Sequence, residues 1–298
     1  VTVVFVPNFD AEFELADLDY RRSERMSGHV QRLARAVRPT LRAAFGADVF
    51  LAGVDAGSPP RGARGDAWCL TERARAALVA LGAEPAPAPP DDVLRTVNHR
   101  AFAAELGPVL PGAGFAHGRA DVERILAAGP ERRWLLKRPL GFSGRMRKEV
   151  VPSRLDRAAR TWIEASMDGY GRGLMVEPVV ERLLDVSLHG RVDAAAQLVE
   201  TGHPVLVENA ADGSFVRARR VAAGELSSTE RGELEATLAR VATALAKAGY
   251  SGPLGIDAFR WRDEQGTVRF HSLVELNARY TFGYWVGVHG IEAIRLAP

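Results

Sequence analysis

The chain has 298 residues, with 39 Lys and Arg against 37 Asp and Glu, so its formal net charge is only +2. That balance gives no overall electrostatic footprint for nucleic acid or an anionic membrane. A single cysteine, Cys69, excludes an internal disulfide framework, and no run reaches the roughly 18 apolar residues of a spanning helix. The length suits one large or two to three small domains, and a cytoplasmic protein is the expectation.

Residues 1–6 are apolar and β-branched, as a buried parallel strand requires. The acidic and aromatic stretch 7–14 reads as a surface loop, although loops after strands of open α/β sheets favour ligands. Helical spacing follows over 26–36, a strand over 49–54, and a helix over 71–81 with Thr71 as its cap. Cys69, between Trp68 and Leu70, reads as an ordinary buried thiol. Alternating prolines in 84–90 predict an extended connector, and the first domain boundary is placed there.

A second unit covers 91–171. It holds predicted helices at 98–106, 119–128 and 154–166, a short strand at 134–137, and a Gly/Ser segment at 141–145. The third unit, 172–298, starts with strands at 174–180, 185–189 and 197–208. Residues 229–247 form an amphipathic helix, with Leu234, Leu238, Val241 and Leu245 in register and Gly249 as its stop. Two further strands follow, joined by a hairpin near Glu264, Gln265 and Gly266.

Those last strands carry Asp257, Glu275, Asn277 and Arg279 among residues that otherwise read as buried. Strict alternation puts Glu275 and Asn277 on one face together with His271 and Leu273. It puts Phe259 beside Asp257, with Leu254 and Ile256 behind. Carboxylates in such company are costly unless compensated. A hard divalent cation compensates them well; ion pairs with Arg260 or Arg279 are the alternative. Upstream, Lys137 ends an apolar strand ahead of Gly141, Ser143, Gly144 and Arg145. Glycines permit close backbone approach and the cations add charge, as a phosphate cradle needs; a surface loop has the same composition. The spacing is not the Walker pattern.

Taken in order, these segments resemble the ATP-grasp superfamily over residues 97–287. The lysine strand with its glycine loop, a hinge-like strand around Glu177 and Val180, the following Asp185 strand, and the ending Glu275-x-Asn277-x-Arg279 all match. The resemblance implies an α/β protein, α+β in its nucleotide-binding part. It would have an N-terminal parallel α/β domain (1–90), a central subdomain with the phosphate loop (91–171), and a C-terminal subdomain with adenine hinge and metal site (172–298). It implies ATP and Mg2+ (or Mn2+), the metal on Asp257, Glu275 and Asn277. Lys137, Gly141, Ser143, Gly144 and Arg145 would meet the phosphates, with Arg100 where the family usually has a lysine. Glu177 and the Val180 backbone would face adenine and Asp185 the ribose, while Pro178 lacks one N–H used by some relatives. Arg279, with Lys137, would be catalytic.

The implied activity is a carboxylate–amine (or carboxylate–thiol) ligase working through an acyl-phosphate. A kinase on the same fold, or a nucleotide-binding protein without turnover, are the alternatives. The partners are small-molecule carboxylate and amine substrates, with neither nucleic acid nor membrane, and the resemblance makes a homodimer one assembly to expect. Asp10, Glu12, Glu14, Arg21 and Arg22 are candidates for reading those substrates. The scattered His189, His271 and His289, with no metal-ligand spacing, read as satisfied or surface histidines. Tyr280, Phe282, Tyr284 and Trp285 either line an acceptor pocket or pack the last helix.

Overall fold

Three apolar residues in succession, Val3, Val4 and Phe5, are buried in β1 (Thr2–Val6), an inner strand of a parallel sheet. The computed structural model describes residues 2–17, 19–141, 144–168, 172–210 and 214–296. β2 (Asp48–Leu51) and β3 (Arg64–Ala67) flank β1, and the short β4 (Glu84–Pro85) pairs with β3, giving the order β2-β1-β3-β4. The proline connector thus starts inside the first sheet. Crossovers run through α1 (Ala11–Ala16), α2 (Glu24–Phe45) and α3 (Glu72–Ala80), the last capped by Thr71 as expected. The stretch 7–14 is not a solvated loop: part of it is α1, and Asp10 and Glu12 are buried. α2 continues well past residue 36 and through Pro39, because Val37 and Leu41 extend the buried stripe of Val30 and Ala34. That burial outweighs the roughly 3 kcal/mol an interior proline costs.

The next part begins with α4 (Asp91–Asn98) and α5 (Arg100–Leu106). The expected single helix over 98–106 breaks at His99, whose extended backbone (ψ 132°) and ring nitrogen cap α5 through the Ala101 N–H. The break sets Arg100 at the start of α5, where its N–H reaches the Pro139 carbonyl. After β5 (Gly114–Ala116) and α6 (Arg119–Ala127) come β6 (Trp134–Lys137), β7 (Arg147–Val150), α7 (Arg157–Asp168) and β8 (Leu174–Pro178). The strands form an antiparallel sheet ordered β5-β8-β6-β7. β8, assigned from sequence to the third unit, belongs to this sheet, so the sheets divide after Pro178 rather than at 171–172.

The third sheet uses β9 (Glu181–Val192), β10 (Leu198–Thr201), β11 (Val205–Asn209), β12 (Phe215–Arg220), β13 (Gly252–Arg262), β14 (Val268–Asn277) and β15 (Ala293–Arg295). Its order is β14-β13-β9-β11-β12-β15, with β10 added to β9. One face is covered by α8 (Ser228–Lys247), whose Leu234, Leu238, Val241 and Leu245 pack with Leu188, Leu254 and Ile256. Ser227 caps α8 in a reciprocal capping box with Glu230. Ser227→Ala should therefore cost about 1 kcal/mol, readable as a lower urea midpoint with unchanged slope.

The first and third sheets share a core. Tyr284 and Trp285 of α9 (Phe282–Gly287) meet Phe5, Val30 and Leu41 there. Tyr280, Tyr284 and Trp285 are thus packing residues. Among the described residues no helix is long and apolar enough to cross a membrane.

Candidate active site

The face of the third sheet opposite α8 carries the polar residues, and strand register arranges them in rows. Glu275 on β14 opposes Asp257 on β13, which opposes Ser187 on β9. The adjacent row is Asn277, Gly255 and His189. Opposed residues share a face, so the two carboxylates are direct neighbours, with the amide beside them. Asn277 Nδ2 donates to Asp257 Oδ2 at 3.0 Å. One expectation fails here. A bulge in β14 breaks the alternation between His271 and Glu275. Leu273 consequently packs into the α8 core with Leu276, and Val274 turns to Phe259 and Trp261.

Neither arginine proposed as a structural counter-ion touches this pair. Arg260 is held by Glu230 at 2.6 Å on α8, and Arg279 pairs with Glu12 of α1. Glu275 instead meets Arg100 Nη1 at 2.9 Å. Burial would raise the Glu275 carboxyl, but Arg100, helped by Lys137 and Arg279, holds it below its usual value. Among the described residues no cation forms an ion pair with Asp257. Burial, then the charge of Glu275, push it up to about 7. The pair is short of positive charge.

Oxygen donors of this kind, two carboxylates with the Asn277 carbonyl beside them, fit a hard divalent cation. Among the described residues no group of three or more His, Cys, Asp or Glu forms a metal cluster. The protein would thus supply only part of a coordination shell, leaving room for phosphate oxygens and water, as magnesium favours.

Lys137 closes β6 with its ammonium against Glu177 of β8, both nearly buried. Burial, assisted by Arg100, lowers the Lys137 pKa, and Glu177 opposes that. Arg100 also donates through Nε to the Arg138 carbonyl at 3.0 Å, which fixes its direction. Arg279 donates to the Tyr280 carbonyl at 2.9 Å and lies over the Trp68 ring at 5.5 Å. Arg100, Lys137, Asp257, Glu275, Asn277 and Arg279 all line one cavity of about 450 Å³. Among the described residues its wall carries six cationic side chains against three acidic ones, in a chain that is almost neutral overall.

No family model matches the chain, and no curated protein matches it. Solved structures do. The biotin carboxylase domain of the Hydrogenobacter thermophilus 2-oxoglutarate carboxylase, a dimer with MgADP, ADP and bicarbonate, aligns with TM-score 0.58 and 15% identity. The alignment covers 95% of this chain and 65% of that one, so the chain spans just under two thirds of its length. Carboxyaminoimidazole ribonucleotide synthase of Aspergillus clavatus, complexed with ATP, aligns with TM-score 0.54 and 14% identity over 94% of this chain and 71% of that one. D-alanyl-alanine synthetase A of Vibrio cholerae aligns with TM-score 0.54 and 12% identity over 93% and 88%. All three are ATP-grasp proteins. The chain has the ATP-grasp fold.

Within this ATP-grasp fold the remaining candidates divide. Gly144, with φ +71°, and Arg145 lie on the cavity wall. Gly141 is buried, and an added Cβ there would lie 3.0 Å from the Arg145 carbonyl. Ser143 lies outside the described residues. Asp185 reaches the wall with Arg182 at 3.4 Å, and burial raises its pKa. Glu177 and Val180 are not on the wall. Glu177 backs Lys137, and Val180 packs against Leu110, Phe259 and Trp261.

Sequence reasoning missed Arg182, Ser187, Phe9 and Trp68, all of which line the cavity. Ser187 was legible, since it lies two residues after Asp185 and so shares its face. Phe9 and Trp68 follow β1 and β3, at the carboxyl ends where open α/β sheets take ligands.

Proposed function

We propose that this protein is an ATP-dependent ligase that joins a carboxylate to an amine or another nucleophile. The row of Asp257 and Glu275 with Asn277, facing the same cavity as Lys137, Arg100 and Arg279, carries the reading. Asp257, Glu275 and Asn277 would hold one or two magnesium (or manganese) ions. Such an ion, when bound, neutralises phosphate charge. Lys137 and Arg100 would meet phosphate oxygens, and Arg279 would steady the transferring phosphoryl group. Glu12 and the Trp68 face keep that guanidinium in place, so little reorganisation is needed.

A carboxylate oxygen of the substrate attacks the γ-phosphorus in line. The new O–P bond forms as the bridge between β- and γ-phosphates breaks, and ADP leaves with the bonding pair. The amine then adds to the acyl carbon and expels phosphate. Exclusion of water by the segment around Gly144 and Arg145 would keep the acyl-phosphate from hydrolysis.

A coupled ADP-release screen over carboxylic acids and amines with magnesium tests this directly. Release should require both substrates; release with an alcohol alone would make the protein a kinase. Lys137→Ala should weaken ATP binding by about tenfold or more, since a charge-assisted phosphate contact is worth roughly 1.5–3 kcal/mol. Calorimetric titration showing equal affinity would remove Lys137 from the phosphate site.

A further inference from the structure

The cavity has an apolar end that phosphate and metal chemistry leave unused. Phe9 and Trp68 come from the carboxyl ends of β1 and β3, Phe282 from α9, Phe215 from β12, and Leu33 from α2. The rings touch in sequence. Phe9 and Trp68 are 4.8 Å apart edge to face, Trp68 and Phe282 4.9 Å, and Phe282 and Phe215 4.7 Å. Phe9 and Trp68 are buried, whereas Leu33, Phe215 and Phe282 stay half-buried although each belongs to the shared core. Apolar surface left facing a cavity is surface that a ligand can cover.

A second observation ties this wall to the carboxylate row. Ser187 is the cross-strand neighbour of Asp257 on one side and Val205 on the other. Ser187 is 1% exposed and lines the cavity, and among the described residues its hydroxyl has no hydrogen-bond partner. A buried hydroxyl without a partner costs roughly 1–3 kcal/mol, and a polar ligand atom beside it would recover that. Val207, two residues from Val205 on β11, continues the wall toward Phe215.

We propose that the substrate activated at this site is a small carboxylic acid with an aromatic or bulky aliphatic body. The body would lie against Phe9, Trp68, Phe215 and Phe282, with its carboxylate at Ser187 Oγ next to Asp257. This rests on the ligase reading, and the excess of cations in the cavity is what favours an acid over an amine at that hydroxyl.

The test uses the intact chain with two readouts, calorimetric binding and magnesium-dependent ADP release, and three acids: 3-phenylpropanoate, 4-methylpentanoate and succinate. The two apolar acids should bind at least tenfold more tightly than succinate and support faster release with an amine pool. Phe215→Ala should cut the preference for phenylpropanoate over succinate by tenfold or more, a ratio that general unfolding would not change. Among the described residues Ser187→Ala removes no internal hydrogen bond, so it should fold normally and weaken all three acids several-fold. Preference for succinate, equal binding of the three, or no binding by any would overturn the proposal. ADP release driven by succinate would do so while leaving the ligase reading intact. Tight binding of phenylpropanoate without ADP release under any amine would uphold the pocket and remove the ligase.

Discussion

Asp257→Asn should abolish magnesium-dependent ATP turnover, a loss of at least about a hundredfold, and make the nucleotide-free protein more stable. Both halves follow from one geometry. Asp257 faces Glu275 across the β13–β14 pair, and among the described residues its only side-chain hydrogen bond is from the Asn277 amide. Neutralising it removes a buried like-charge repulsion, and an asparagine carbonyl still accepts that amide hydrogen. The gain is about 1–2 kcal/mol, or several degrees in Tm for a chain of this size.

Glu275→Gln, the substitution that sequence reasoning alone would choose, should lose turnover equally but destabilise. It deprives Arg100 of its carboxylate at 2.9 Å. Because Glu275 keeps 28% side-chain exposure, the cost should be about 1–3 kcal/mol, below that of a fully buried pair. Thermal melts beside ADP-release assays read both quantities. If Asp257→Asn melts lower than the parent while turnover persists, the row is a structural polar network and no cation belongs there.

The contrast between these two substitutions shows what could be read without coordinates. Local signals sufficed for β6, whose bounds at Trp134–Lys137 were foreseen, and for α8, where apolar spacing and Gly249 agree. That Asp257 and Glu275 lie on adjoining strands was also within reach, but a hairpin register continued unbroken from Arg262 and Val268 pairs Asp257 with Leu273, and only the bulge brings Glu275 opposite. Partners set by tertiary packing were not within reach. Arg279 and Glu12 lie 267 positions apart, and nothing near either residue announces the other. The resemblance implies Arg100 as a phosphate cation, but its ion pair with Glu275 depends on the break at His99, which nothing local announces. The β14 bulge likewise leaves no local mark, so Leu273 was put on the wrong face. β8 was read as the opening strand of the third unit, and its pairing with β6 is decided by the whole subdomain.

Gly283→Ala should be among the most damaging single-methyl additions in the chain, lowering Tm by roughly 6–12 °C. The cause is His189. Its imidazole is 1% exposed and sits between β13 and α9, where glycines leave it room. A Cβ at Gly283 would lie 2.4 Å from His189 Cε1, and one at Gly255 2.5 Å from Cδ2 on the other side. The ring cannot retreat from one without striking the other strand. Its Nε2 is also tied to Thr281 Oγ1 at 2.9 Å, the hydroxyl that caps α9 through the Tyr284 N–H. Burial pulls the imidazole pKa down to about 3, so it is a neutral spacer at working pH and not a switch. Overpacking against such a fixed neighbour belongs at or above the upper end of the usual 1–3 kcal/mol, and exceeds the roughly 1 kcal/mol that alanine gains over glycine in a helix. Gly232 in α8 supplies the control, being exposed with nothing within 4 Å of its would-be Cβ. There the same substitution should raise Tm slightly. In a double-mutant cycle, His189→Ala should absorb most of the Gly283→Ala penalty, giving a coupling above about 1 kcal/mol. Additive losses would mean the methyl group strikes something other than the ring, and His189 would lose its place as the spacer between sheet and helix.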